Sequence, residues 1–182
     1  MLAVDQFLKH AVEYSDESYT ISHPDGISVT VRSVRESDTN LIMEMHERLS
    51  SDSIYYRYLG VNKPTIKDFH RMCSYDKAIV TALVATIEDQ QEKVIAFAYY
   101  RIDSENPSTA EPAVLVEDSF QGCGLGKQMV MALYQKAVQN SLVSFDTFIH
   151  PGNYRMLQMI KSSGLKYESK YCDGMQKVRI WL

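Results

Sequence analysis

A glycine-rich stretch in the second half of the chain is the segment best suited to chemistry. Gln121-Gly122-Cys123-Gly124-Leu125-Gly126 follows an apolar run, Ala113–Val116, and leads into a helical pattern. Backbone N–H groups in the first turn of a helix have no partner within the helix, and the helix dipole adds positive potential there. Glycines let a ligand approach the backbone closely. The segment therefore predicts an anion site, most often one for phosphate, with Lys127 adding a positive charge.

Two other glycine-rich phosphate loops fit this segment less well. The dinucleotide fingerprint G-x-G-x-x-G is satisfied by Gly122 and Gly124, but Lys127 stands where its third glycine belongs. The P-loop G-x-x-x-x-G-K-[ST] is satisfied at Gly126-Lys127, but glutamine occupies its first and last positions. A nucleotide-binding domain is therefore a weaker alternative.

The pattern that does match is Q/R-x-x-G-x-G/A, and with it the chain resembles the GNAT superfamily of acyl-CoA-dependent N-acyltransferases. A second family element follows, in which a strand ending near Ile149 leads to Asn153-Tyr-Arg-Met156 and then Gly164-Leu165. The resemblance covers about residues 27–182. It implies the GNAT-like acyl-CoA N-acyltransferase fold, with a central, mostly antiparallel sheet flanked by helices. It also implies acetyl-CoA as co-substrate and no metal.

The same resemblance assigns the contacts to the cofactor. The strand Val114–Val116 resembles the splayed strand whose backbone pairs with the pantetheine arm, and Gly122 to Lys127 would offer N–H groups to the pyrophosphate. Asn153 resembles the helix-start asparagine that contacts CoA, although a plain N-cap is an equal alternative. Cys123 stands where the family often has Arg or Lys, which removes one phosphate contact. The predicted cofactor-binding residues are Val114, Leu115, Val116, Gln121, Gly122, Cys123, Gly124, Leu125, Gly126, Lys127 and Asn153.

Glu111 is the candidate catalytic base. An amine nucleophile such as lysine, with a pKa of about 10.4, needs a base at neutral pH. Ala110-Glu111-Pro-Ala-Val-Leu-Val116 resembles the A-E-x-A-x-x-V segment of bacterial protein-lysine acetyltransferases, whose glutamate serves as base. An exposed carboxylate at the start of a strand is the alternative. Glu117 and Asp118 are rivals, but they would lie close to the pyrophosphate, which is a poor place for an anion.

The sequence departs from the family at the usual general acid. Many members carry a tyrosine seven residues after the helix-start asparagine, and this chain has Ile160 there. Tyr154 and Tyr167 are substitutes, but we expect no dedicated acid, since a thiolate leaves tolerably unaided. The resemblance places the oxyanion donor at the backbone N–H near Val116.

The N-terminal half points to the acceptor. Val29–Asp38 and Glu47–Gly60 resemble the GNAT domain of bacterial protein acetyltransferases, which modify lysines on CoA-ligase-type enzymes. We expect acetyl transfer to a primary amine, with a protein lysine favoured over a small-molecule amine. An acyl-CoA-binding sensor without turnover is a further alternative. Tyr55, Tyr56 and Tyr58 fall where the family shapes its acceptor site, or else pack as core and rim.

The elements that must position these residues follow from hydrophobic periodicity. A helix after Ser37 or Asp38 would turn Leu41, Met45 and Leu49 inward, and Leu125 to Gln139 repeats apolar residues every four positions. The order of elements is typical of a mixed α/β layer around one sheet. Strands are predicted at 27–34, 79–87, 94–102, 113–116, 143–149, 165–171 and 175–181, and helical segments at 53–59, 65–75, 125–139 and from Asn153.

Length, charge and cysteine content limit the domain organisation and the classes of partner. The 182 residues suit a single GNAT domain over 27–182 after a short leader, 1–26, in which residues 2–14 form an amphipathic helix. A net charge of −4 argues against nucleic-acid binding, and the apolar runs are too short for a membrane span. Three cysteines without CxxC spacing indicate free thiols in a cytoplasmic protein, and the His70-x-x-Cys73 pair lacks further metal ligands. Monomer and homodimer both stay open.

Overall fold

The computed structural model describes residues 11–14, 18–60, 64–76 and 78–182. The helix predicted for residues 2–14 is wrong where it can be checked, because Ala11–Tyr14 forms a strand. The remainder of that prediction lies outside the described residues. The strand Ser18–Ser22 also precedes residue 27, so the sheet begins within the segment that we expected to be a leader.

The described residues form one sheet with helices on both faces. The strands are β1 (Ala11–Tyr14), β2 (Ser18–Ser22), β3 (Ser28–Ser33), β4 (Val80–Asp89), β5 (Gln91–Ile102), β6 (Thr109–Val116), β7 (Ser144–Ile149), β8 (Tyr167–Cys172) and β9 (Met175–Trp181). The helices are α1 (Thr39–Glu47), α2 (Ser51–Tyr58), α3 (Ile66–Ser74), α4 (Leu125–Gln139) and α5 (Tyr154–Ser162). One-turn 3-10 helices lie at Glu36–Asp38 and Asp118–Phe120.

The sheet order is β1-β2-β3-β4-β5-β6-β7-β9-β8. Every neighbouring pair is antiparallel except β6 and β7, which run parallel. The central, mostly antiparallel sheet flanked by helices that the sequence predicted is therefore confirmed.

Two apolar layers hold the sheet between the helices. On one face α4 buries Leu125, Met129, Leu133 and Ala137, the four-residue repeat seen in the sequence. On the other face, apolar residues of α1, α2, α3 and the turn between α1 and α2 pack against β4 and β5; they are Ile42, Met45, Leu49, Ile54 and Phe69. The central strands are buried on both sides, which explains their nearly continuous apolar sequences.

The parallel pair β6–β7 is short, and the sheet opens after it. The register pairs only Thr109 with Ser144 and Ala110 with Phe145. Beyond these residues β6 continues beside β5 as far as Val116, whereas β7 continues beside β9 as far as Ile149. The two strands thus diverge and leave a wedge between their carboxyl-terminal ends.

Candidate functional site

The edge of β6 that borders the wedge offers unpaired backbone groups. Glu117 donates its N–H to the carbonyl of Ile95 at 2.8 Å, so the backbone groups of every second residue counted back from Glu117 point toward β5. Alternation along an antiparallel strand then directs the N–H and C=O of Val114 and the N–H of Val116 into the wedge, whereas the Val116 carbonyl accepts from the side chain of Gln121. Pro112 has the same orientation, and since proline has no N–H, this edge is where a strand tolerates it. An extended ligand laid in the wedge would meet a row of main-chain donors and acceptors.

The glycine-rich loop joins this edge to the first turn of α4. Gly124 is the N-cap residue of α4 with φ of +92°, a left-handed conformation that costs an L side chain about 1–2 kcal/mol. A Cβ built on Gly122 or Gly124 would meet no atom within 4 Å, so the loop faces open space. Within the described residues, the amides of Gly122 to Gly126 make no hydrogen bond. The structure thus brings together the unpaired donors at a helix N-terminus that an anion site requires.

The side chain of Gln121 stabilises the glycine-rich loop through hydrogen bonds to three neighbouring segments. Its side-chain amide donates to the carbonyl of Val116 at 2.9 Å and to Ser53 Oγ at 3.1 Å. Its Oε1 accepts from Arg155 at the start of α5. The sequence predicts Gln121 as a cofactor contact, and the structure shows its side chain joining β6, α2 and α5.

Lys127 and Gly126 lie in the first turn of α4. The Lys127 ammonium donates to the carbonyl of Ser162 at the end of α5. A Cβ on Gly126 would lie 3.6 Å from Val116 Cγ2 and 3.8 Å from Met159 Sδ, in ordinary contact. Glycine therefore lets α4 start close against β6 and α5.

The two carboxylates that rivalled Glu111 stabilise the loop. Glu117 is 6% exposed and accepts from Arg48 Nε at 2.9 Å and from Lys93 Nζ at 3.0 Å. Asp118 accepts from the N–H and Oγ of Ser50, at 2.8 and 2.7 Å, and from Ser53. Burial alone would raise the pKa of Asp118, but these hydrogen bonds outweigh it and lower the pKa. Both carboxylates are already occupied within the protein.

Glu111 is exposed and stands within β6, opposite Arg101 of β5. The strand starts at Thr109 rather than at Ala113, so Glu111 is its third residue and does not begin it. Side chains alternate between the two faces of a strand, so the side chain of Glu111 points to the same face as that of Leu115. Leu115 belongs to the core on the face that carries α1 to α3. Glu111 therefore lies beside the opening of the wedge, on the side of the sheet that carries α2.

Helix α5 begins as the sequence predicted. Asn153 is its N-cap, and Oδ1 accepts from the N–H of Met156 at 3.2 Å. The side-chain Nδ2 makes no hydrogen bond within the described part of the chain, so the cap leaves a donor for a ligand. Ile160 is 5% exposed and packs in the core, whereas Tyr154 is 75% exposed. Position 160 thus points inward and holds no proton donor.

Helix α2 spans the wedge from β6 to β7. At its amino end, Ser50 and Ser53 donate to the carboxylate of Asp118, which follows β6. On the β7 side, the rings of Tyr55 and Tyr56 lie 5.6 and 5.7 Å from that of His150, directly after β7. Tyr58 instead packs on His46, and burial raises its pKa to about 12. Of the three tyrosines, Tyr55 and Tyr56 therefore line the rim of the wedge.

Sequence reasoning missed one neighbour of the loop. His23 Nε2 lies 3.0 Å from Cys123 Sγ, which also donates to the Phe120 carbonyl at 2.8 Å. The contact joins residues 100 positions apart, and no local pattern indicates it. Among the described residues no group of three or more His, Cys, Asp or Glu is arranged to hold a metal ion. None of the described helices is long and apolar enough to cross a membrane.

Comparison with known proteins places these features in a family. Residues 44–164 match the model of the acetyltransferase (GNAT) family. The chain is similar to the acetyltransferase Pat of Mycolicibacterium smegmatis, with 28% identity over 134 residues, 74% of this chain and 40% of that protein. This chain thus spans less than half the length of that relative.

Solved structures show the same fold. The GNAT domain of S. lividans PAT superposes with a TM-score of 0.82 at 24% identity, covering 93% of this chain and all 100% of that domain. The structure of yncA from Salmonella typhimurium with its cofactor acetyl-CoA gives a TM-score of 0.66 at 17% identity, covering 85% of this chain and 92% of that one.

Proposed function

The chain belongs to the acetyltransferase (GNAT) family, and from that premise we propose that it transfers an acetyl group from acetyl-CoA to a primary amine, first of all a protein lysine. The amides of Gly122 to Gly126 would hold the diphosphate. The free edge of β6, at Val114 and Val116, would pair with the pantetheine arm.

One observation carries this proposal: the open edge of β6 runs directly into unpaired amides at the N-terminus of α4. A diphosphate matches the amides because they offer several N–H donors and a positive helix end. The pantetheine arm contains amide groups, which suit a strand edge in the way that an added β-strand does. The Nδ2 of Asn153 would be a further donor at the β7 side.

Glu111 is proposed as the base that accepts the proton of the attacking amine. Its exposed carboxylate lies on the face of the sheet that carries α2, and Glu117 and Asp118 are engaged elsewhere. The N–H of Val116 would stabilise negative charge that develops on the thioester oxygen. When bound, acetyl-CoA supplies the activated acyl group and its thiolate leaving group.

A protein lysine is the favoured acceptor because Val29–Asp38 and Glu47–Gly60 resemble the GNAT domain of bacterial protein acetyltransferases, and the similarity to the acetyltransferase Pat supports this. The rim formed by Tyr55, Tyr56 and His150 is aromatic, which suits the aliphatic stem of a lysine on a protein surface. A small-molecule amine is the second candidate.

The experiment is a CoA-release assay over an amine panel. Acetyl-CoA is presented with lysine-containing proteins and peptides, with polyamines and with aminoglycosides, and acetylated products are identified by mass spectrometry. We expect turnover on a lysine and little on the small amines. Turnover on small amines alone would move the assignment to the second candidate, whereas tight acetyl-CoA binding without any turnover would indicate a sensor.

A further inference from the structure

A thiol, an imidazole and a carboxylate stand in line beside the glycine-rich loop, and the proposed acetyl transfer uses none of the three side chains. Cys123 Sγ is 3.0 Å from His23 Nε2. On the other side of the ring, His23 Nδ1 is 3.4 Å from Asp25 Oδ2 and 3.4 Å from the backbone N of Asp25, so Asp25 offers an acceptor to one tautomer of the ring and a donor to the other. This order, in which a base faces a nucleophile and a carboxylate orients the base, is the arrangement of side chains that activates nucleophilic cysteines.

The imidazole is held in place by the turn between β2 and β3. The backbone N–H of His23 donates to the Ile27 carbonyl at 2.8 Å, and the backbone N–H of Gly26 donates to the His23 carbonyl at 2.9 Å. The ring meets Phe120 edge-on at 5.5 Å, and the side chain is only 8% exposed. His23 is therefore a fixed neighbour of the sulfur.

The sulfur has two hydrogen-bonding neighbours but only one hydrogen. In the tautomer with its hydrogen on Nε2, His23 donates to the sulfur while the thiol donates to the Phe120 carbonyl. In the tautomer with its hydrogen on Nδ1, Nε2 accepts the thiol hydrogen, and the transfer leaves a thiolate facing an imidazolium. Cys123 also directly precedes Gly124, the N-cap of α4, and helix N-termini stabilise negative charge on nearby cysteines.

We propose that Cys123 is a modification site for low-molecular-weight disulfides, with His23 as the base that accepts the thiol proton. The Cys123 sulfur attacks one sulfur of the disulfide, the S–S bond breaks, and the second sulfur leaves as a thiolate that takes up the proton. The disulfide is the only oxidant, and the product is a mixed disulfide on Cys123.

The mixed disulfide would compete with the cofactor. Space is open beside Gly122 and Gly124, on either side of Cys123 in the chain. A group attached there would cover the amides assigned to the diphosphate, a consequence that rests on the proposed function. A thiol reductant would restore the free loop.

The chain supplies two reference thiols. Burial raises the pKa of the Cys73 thiol, and Cys172 Sγ lies 3.3 Å from the carboxylate of Asp173. Neither sulfur contacts a histidine in the part of the chain that the structure describes. Both should react slowly, and a rise in the Cys73 rate would report loss of the fold.

The test measures the reaction of all three thiols with dipyridyl disulfide, followed by the released thiopyridone and assigned by peptide mass spectrometry. We compare wild type, Cys123→Ser and His23→Gln, each with and without acetyl-CoA. Cys123 should react about tenfold or more faster than Cys172, and His23→Gln should remove about tenfold of that rate while Cys73 stays slow. Acetyl-CoA should protect Cys123.

The outcomes separate this site from the proposed function. A Cys123 rate no higher than that of Cys172, or one unchanged in His23→Gln, would overturn the modification site. A fast, His23-dependent reaction without protection by bound acetyl-CoA would keep the site and reject the placement of the diphosphate. If acetyl-CoA does not bind at all, the proposed function fails while the fast thiol still supports the site.

Discussion

At the scale of single residues, the site is defined by which polar groups are already engaged. Glu117 faces Arg48 and Lys93, and Asp118 faces two serines, so neither carboxylate is free for a substrate amine. Glu111 is exposed on β6, the strand that these two residues follow. This difference in environment supports the proposal that Glu111 accepts the proton of the attacking amine.

Replacement of Glu111 by glutamine should lower kcat by about 10²- to 10⁴-fold, because the amide cannot accept the proton. The affinity for acetyl-CoA should not change. The matched control is Glu105→Gln, which alters an exposed carboxylate in the loop before β6. Steady-state kinetics and calorimetry measure the two effects. Equal kcat values for wild type and Glu111→Gln would remove Glu111 from the mechanism.

At the scale of elements, ion pairs fix each of the two strands that border the wedge to its neighbours. Glu117 links the end of β6 to α1 through Arg48 and to β5 through Lys93. On the far side, Asp146 of β7 accepts from Arg179 Nε of β9 at 2.8 Å. The ion pairs of Glu117 fix the start of the glycine-rich loop, and the ion pair of Asp146 with Arg179 fixes β7 to β9.

Glu117→Gln should destabilise the protein by about 2 kcal/mol, since buried hydrogen bonds to charged groups contribute about 1.5–3 kcal/mol. Urea unfolding gives the difference in free energy. An exposed control, Glu168→Gln on β8, should change it by less than about 0.5 kcal/mol. Similar values for both variants would show that the buried network adds nothing.

The ion pair between Asp146 of β7 and Arg179 of β9 predicts a dependence of stability on pH. The hydrogen bond from Arg179 lowers the pKa of Asp146 below its ordinary value of 3.8. The resulting stabilisation is present above pH 3.8 and is lost as the pH falls through the lower pKa of the folded state. Because the pair is partly exposed, the loss should be about 1 kcal/mol or less. Unfolding at several acidic pH values should show a smaller acid dependence for Asp146→Asn than for wild type.

At the scale of the whole molecule, the sequence predicted the layers better than the wedge. The four-residue repeat of α4 and the N-cap at Asn153 are local patterns, and the structure confirms both. The wedge depends on where two distant strands stop pairing, which no local pattern encodes. The sequence therefore predicted only the last four residues of β6 as a strand, and Glu111, which was expected at the start of the strand, lies inside it. The contact between His23 and Cys123 is equally non-local.

The amides before α4 are proposed to hold the diphosphate of acetyl-CoA. Gly124 and Gly174 both have positive φ, +92° and +80°, and a Cβ at either would meet no atom within 4 Å. Gly124→Ala and Gly174→Ala should therefore cost similar stability, about 1–2 kcal/mol each, although only Gly124 lies in the loop.

Titration calorimetry with acetyl-CoA on wild type and on these two variants is the most direct measurement. We predict that wild type binds, that Gly174→Ala binds equally well, and that Gly124→Ala binds at least about tenfold more weakly, a difference of about 1.4 kcal/mol. Absence of binding by wild type, or equal affinity in both variants, would contradict the account.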